Sequence, residues 1–134
     1  MKRFLLDTSA LLTLRDDEPG SDQVAEILAS SHTGAVTCLG CFISLMEVFY
    51  RVWKDESEAA GRLAYERCLS LPMTWVHETP ELSMEAAAVK AKNRLSLADA
   101  GVAACALLQG ATLVHQDPEF ESLSLQQLTL PYRV

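Results

Sequence analysis

Short, wholly apolar runs alternate along this chain with longer stretches in which apolar residues recur every three or four positions. Residues 3–6, 35–39, 73–77 and 111–115 read as strands, the first fully apolar at its centre as a buried parallel strand should be and the second carrying β-branched Val36 and Thr37. Residues 125–130 form a weaker fifth, diluted by Gln126 and Gln127. Helical periodicity marks residues 9–15, 21–31, 43–54, 56–71, 80–94 and 97–109. Pro72 stops the fourth helix, Gly110 closes the last, and a turn at Gly40-Cys41-Phe42 precedes the third. Strands separated by helices call for right-handed crossovers and a parallel sheet covered on both faces. The expected fold class is α/β, a three-layer α/β/α sandwich formed as a single domain over residues 1–134, with no repeat or linker dividing it.

Against this pattern four acids stand out, each where an apolar stretch gives way to a turn or helix. Phe4-Leu5-Leu6 runs into Asp7, and Leu113-Val114-His115-Gln116 runs into Asp117. Glu47 and Asp99 interrupt otherwise apolar helical segments. Each has an ordinary structural role open to it. Ser44 and Ser96 stand three residues before Glu47 and Asp99, the capping-box spacing; Asp7 suits a helix cap and Asp117-Pro118 a turn. The set is less ordinary than its members. Ligands in open parallel sheets bind beyond the carboxyl ends of the strands, where Asp7 and Asp117 fall, and the early turns of helices open at that same edge. Two carboxylates about 4 Å apart repel by roughly 4 kcal/mol at an effective dielectric of 20. A domain has only about 5–15 kcal/mol of net stability. Such a cluster must hold protons or bind cations. Donors that are all oxygen point to Mg²⁺ or Mn²⁺, ions that serve phosphate chemistry.

Composition narrows the field. The net charge of −7 over 134 residues argues against nonspecific nucleic-acid binding through a basic surface, though not against an acidic pocket charged with metal. No apolar run reaches the roughly 18 residues of a membrane span, and the N-terminus does not read as a signal peptide, so a cytoplasmic setting is expected. Cys38 and Cys41 have CxxC spacing, but no second pair completes a four-thiolate zinc site. With Cys68 and Cys105 they read as small buried thiols of a reducing compartment, with a redox pair as the alternative.

Leu6-Asp7-Thr8-Ser9-Ala10-Leu11-Leu12, Ser44-Leu45-Met46-Glu47-Val48, Leu95-Ser96-Leu97-Ala98-Asp99-Ala100 and Leu113-Val114-His115-Gln116-Asp117-Pro118-Glu119-Phe120 together resemble the PIN-domain ribonucleases. Their order and spacing are most similar to the VapC-type toxins of bacterial and archaeal toxin–antitoxin pairs. The resemblance implies an acidic active site of Asp7, Glu47, Asp99 and Asp117. Asp7 and Asp99 would be the main ligands of Mg²⁺ or Mn²⁺, with Glu47 and Asp117 holding a second cation or ordering water. Thr8 or Ser9 would add a hydroxyl, Ser9 being the supporting residue singled out. The chain departs from the family at His115, where threonine is common, and leaves open whether His115 or Glu119 joins the site.

The implied reaction is hydrolysis of single-stranded RNA by in-line attack of water, leaving a 5′-phosphate and a 3′-hydroxyl. Arg51 and Lys54 follow Glu47 at i+4 and i+7 and are candidate RNA-phosphate contacts, or else surface ion-pair partners. Arg15 and Arg94 are further basic candidates. The resemblance also implies a homodimer and a cognate antitoxin protein, for which Leu11, Leu12, Leu14, Val24, Ile27 and Leu28 offer an apolar surface. The alternative is a degenerate PIN-like module that binds RNA or protein without cutting. A haloacid-dehalogenase phosphatase would need an acid where Ser9 stands, and a receiver domain an acidic pair after the first strand.

Overall fold

The structure, a computed structural model, describes residues 1–132. Its centre is a five-stranded parallel sheet of β1 (Arg3–Leu6), β2 (Thr37–Cys41), β3 (Thr74–Val76), β4 (Thr112–His115) and β5 (Gln127–Thr129), in the order β3-β2-β1-β4-β5. Around it lie α1 (Thr8–Arg15), α2 (Ser21–His32), α3 (Phe42–Asp55), α4 (Glu58–Ser70), α5 (Pro80–Lys92) and α6 (Leu97–Gln109). Successive side chains of a strand point to opposite faces. Phe4 and Leu6 of β1 accordingly join a core under α1 to α4, whereas Leu5 joins one with α5 and α6. Val114 and Leu113 of β4 divide the same way. The result is the expected three-layer sandwich.

Among the boundaries that differ from those expected, two have a visible cause. The second strand runs through Gly40 to Cys41, and Phe42 is already helical, so no turn intervenes. Gly40 is there for clearance: a Cβ on it would sit 2.4 Å from Trp75 Cζ3 and 2.9 Å from Met73 Cε. Because that wall is an indole ring, Gly40→Ala should cost about 2 kcal/mol by overpacking, read as a lower urea midpoint at unchanged slope. The fourth helix starts at Glu58 because Ser57 caps it, its side chain accepting from Ala60 N at 3.1 Å. Glu56, left outside the helix, pairs instead with Arg15 at 2.8 Å.

The strand geometry also settles the CxxC pair. Three residues apart on one strand, Cys38 and Cys41 face opposite cores and cannot chelate one ion. All four cysteines are free and buried; Cys41 shares a hydrogen bond with Cys105 across the sheet–α6 packing, and burial pushes the Cys38 thiol up to about 12. Among the described residues, no helix is long and apolar enough to cross a membrane. Most of the apolar surface expected of the first two helices is spent on the core, since Leu11, Val24, Ile27 and Leu28 are buried in it.

Candidate active site

The chain builds β1, β2 and β3 outward to one side, then returns to add β4 and β5 on the other side of β1. The crevice between β1 and β4 is therefore the switch point of the sheet, where connections leave in opposite directions and ligands bind. Leu6 pairs with Val114, and Asp7 N donates to Val114 O at 2.9 Å, so Asp7 lies beside the outgoing end of β4.

Asp7 is buried and caps α1. Its Oδ2 accepts from Ser9 N at 3.1 Å and from Ser9 Oγ at 2.6 Å, while Oδ1 is buried with no hydrogen-bond partner among the described residues. Ser9 Oγ in turn accepts from Gln116 N at 2.8 Å, tying the end of β1 to the end of β4. Burial raises the Asp7 pKa, opposed by the bonds from Ser9 and reinforced by the nearby charge of Glu47. Helix cap and candidate ligand are thus two oxygens of one carboxylate.

Glu47 arrives from α3. Cys41 is the cap of that helix, so Ser44 and Glu47 do not form a capping box. Thr8 Oγ1 lies 2.8 Å from Glu47 Oε1, to which it donates, and 2.9 Å from Ser44 Oγ. Thr8, rather than Ser9, is the residue that holds Glu47 against the first strand.

Asp99 stands in the first turn of α6, where Ser96 caps the helix by accepting from Asp99 N at 3.1 Å. Asp117 caps a 3₁₀ turn over Pro118–Phe120, its Oδ1 accepting from Glu119 N at 2.9 Å. Oxygens of Asp99, Asp117 and Glu119 all lie within 4.8 Å of one another. Burial, then the charges of Asp7 and Asp117, push the Asp99 carboxyl up to about 7.

Asp7, Glu47, Asp99 and Asp117 line one open cavity of about 640 Å³ together with Thr8, Ser9 and Gln116. Among the described residues, eight carboxylates and two guanidiniums, those of Arg15 and Arg51, line it. Arg15 is committed to Asp16 at 2.9 Å and to Glu56. Arg51 makes no ion pair among the described residues, so the expected alternative of a Glu47–Arg51 bridge does not form. Lys54 is exposed farther along α3 and is not among the residues lining the cavity; neither is Arg94 nor His115.

The PIN-domain family model matches residues 4–125. The chain belongs to the PIN-domain family. Several solved structures share this PIN fold. VapBC2 from Rickettsia felis, bound to a DNA fragment from its promoter, has 17% identity and a TM-score of 0.77 over 96% of this chain and 99% of that one. DNA-bound VapBC from Salmonella typhimurium has 17% identity and a TM-score of 0.76, covering 96% and 98%. VapC20 from Mycobacterium tuberculosis, a sarcin–ricin-loop-cleaving toxin, has 17% identity and a TM-score of 0.74, covering 96% and 99%. At that identity the likeness is one of fold. No curated protein matches the chain by sequence. Within this PIN domain the sequence reading left three contributors unassigned. Glu119 was visible as an extra acid beside Asp117, but Ser44 and Gln116 enter through contacts that no local pattern announces.

Proposed function

We propose that this PIN domain is a Mg²⁺- or Mn²⁺-dependent endoribonuclease that hydrolyses single-stranded RNA, and that it is the toxin of a toxin–antitoxin pair. The observation that carries the reading is the convergence of Asp7, Glu47, Asp99 and Asp117, from four separated segments, on one cavity at the sheet's switch point. The donor set fits a hard divalent cation: every candidate ligand is oxygen, and Asp7 Oδ1 is buried without a partner among the described residues. Asp7 and Asp99 would be the main ligands, and Glu47, Asp117 and Glu119 would complete a second position or order water. A bound cation would supply Lewis acidity at the scissile phosphate and lower the pKa of a water it holds. Ser9 holds Asp7 in place and Thr8 holds Glu47, so neither carboxylate needs to reorient on binding.

Arg51, which lines the cavity and makes no ion pair among the described residues, is the residue assigned to an RNA phosphate; Lys54 lies outside the cavity. Arg51→Ala should raise the dissociation constant for a single-stranded RNA severalfold and flatten its salt dependence by about 0.7 in log–log slope. Fluorescence anisotropy over a salt series checks this, and an unchanged slope removes the role. Mn²⁺ affinity should stay as it was.

A PIN toxin of this kind pairs with an antitoxin. An apolar groove of about 280 Å³ lined by Leu11, Leu14, Val48, Ala64 and Leu71 opens next to the cavity and shares Arg15 with it. A homodimer would use the exposed stripe of Met46, Tyr50 and Trp53 along α3.

The test is a gel assay of purified protein with single-stranded RNA in Mg²⁺, Mn²⁺ or EDTA. Cleavage in metal that stops in EDTA supports the reading. Binding without cleavage in either metal favours a degenerate binding module, and cleavage that persists in EDTA sinks the proposed chemistry.

A further inference from the structure

His115 is fully buried at the end of β4, its ring centroid 5.0 Å from that of Phe120. Both of its nitrogens are engaged. Asp117 N lies 3.0 Å from His115 Nδ1, and a backbone N–H can only donate, so Nδ1 is the bare nitrogen. The proton then sits on Nε2, which donates to Gln127 Oε1 at 2.8 Å. The orientation of that amide is itself determined: Gln127 Nε2 donates to Phe120 O at 2.8 Å and to Leu123 O at 3.1 Å, leaving Oε1 for the imidazole. A closed chain of hydrogen bonds therefore joins the end of β4, the Asp117 backbone, the 3₁₀ turn and β5. The same loop carries Asp117 and Glu119, whose carboxylates converge on Asp99.

We propose that His115 is a positioning residue: through its bare Nδ1 it sets the Asp117–Glu119 arm of the cation site against Asp99, with Gln127 fixing the tautomer. The assignment rests on the reading of that cavity as a cation site, and it gives a buried imidazole a role outside proton transfer and direct ligation. Groups that orient metal ligands from behind typically contribute about 10–100-fold to affinity.

Two isosteres separate the nitrogens. In His115→Asn the amide oxygen stands near the place of Nδ1 and can still accept from Asp117 N. In His115→Gln the amide nitrogen stands near the place of Nε2 and can still reach Gln127, but the acceptor for Asp117 is lost. Mn²⁺ titration by calorimetry should show affinity reduced by about tenfold or more in His115→Gln and by less than about threefold in His115→Asn. Both variants lose packing against Phe120, so both should melt lower; a purely structural role would move their cation affinities together. Equal affinities in the two variants, or a greater loss in His115→Asn, overturn the proposal.

A second measurement needs no variant. Long-range ¹⁵N–¹H correlation spectra of the cation-free protein should show His115 as the neutral Nε2–H tautomer, and the Nδ1–H form would overturn the assignment. RNA cleavage plays no part in either readout. A wild type that binds Mn²⁺ but cuts no RNA removes the nuclease reading and leaves this proposal standing, whereas one that binds no Mn²⁺ at millimolar concentration removes both.

Discussion

Asp7→Asn should lower RNA cleavage by about 10³-fold while leaving the cation-free protein as stable as the wild type, or more so. Metal-assisted catalysis contributes several kcal/mol, and each 1.36 kcal/mol is tenfold in rate. Replacing the carboxylate by an amide removes the charge that draws the cation and spares the fold. The asparagine oxygen can take over the role of Oδ2, accepting from Ser9 N and Ser9 Oγ, so the α1 cap survives. The charge it removes is a buried one whose ionisation Glu47 opposes. Thermal melts in EDTA at pH 8 and single-turnover cleavage in Mg²⁺ test the two halves separately. A variant that both unfolds and fails to cut would show that Asp7 is needed for the fold, and full activity in a folded variant would remove it from the site.

In EDTA the wild type should lose stability as pH rises from about 5 to 8, and Mg²⁺ should reverse the trend. The sign follows from Asp99. Its carboxyl is held at about 7 in the folded protein, above the ordinary 3.8, by burial first and by Asp7 and Asp117 next. Between those values the folded state keeps a proton that the unfolded chain has lost, so stability is present below the window and is lost as pH rises through it. Asp7 is shifted in the same direction, chiefly by burial. A divalent cation replaces the missing proton. At a hundredfold excess over its dissociation constant it adds about 2.7 kcal/mol, roughly 10 °C in Tm for a chain of this size. The gain should be largest at pH 8, where the ligands are ionised. A Tm in EDTA that climbs from pH 5 to 8, or that Mg²⁺ does not move, would contradict this account.

The fold was legible because it rests on local periodicity: apolar β1 and β4, helices between strands, Pro72 and Gly110 as stops. The acids were legible because a carboxylate inside Leu45-Met46-Glu47-Val48 is costly wherever that segment packs. Their meeting was conditional on β1 and β4 being neighbours, and the register of Leu6 against Val114 supplies the condition. What remained hidden depends on partners distant in sequence. Gly40 reads as a turn until Trp75 is seen packed over it. Gln127 reads as a blemish in a weak strand until its amide is found spanning His115, Phe120 and Leu123. Capping and cation binding looked like competing explanations of Asp7, Asp99 and Asp117. The structure makes Asp7 and Asp117 caps through one carboxylate oxygen each and leaves the capping of α6 to Ser96, while all three acids stay on the cavity wall.

The bridge from Asp7 Oδ2 through Ser9 Oγ to Gln116 N has a kinetic consequence. It spans the crevice with a single hydroxyl, so the gauge of the gap between β1 and β4 is set by the polypeptide before any ion arrives. At the proposed cation site an arriving ion would meet a mouth already shaped rather than a closure it must drive, so the pace of Mg²⁺ binding should be set by loss of the ion's own water.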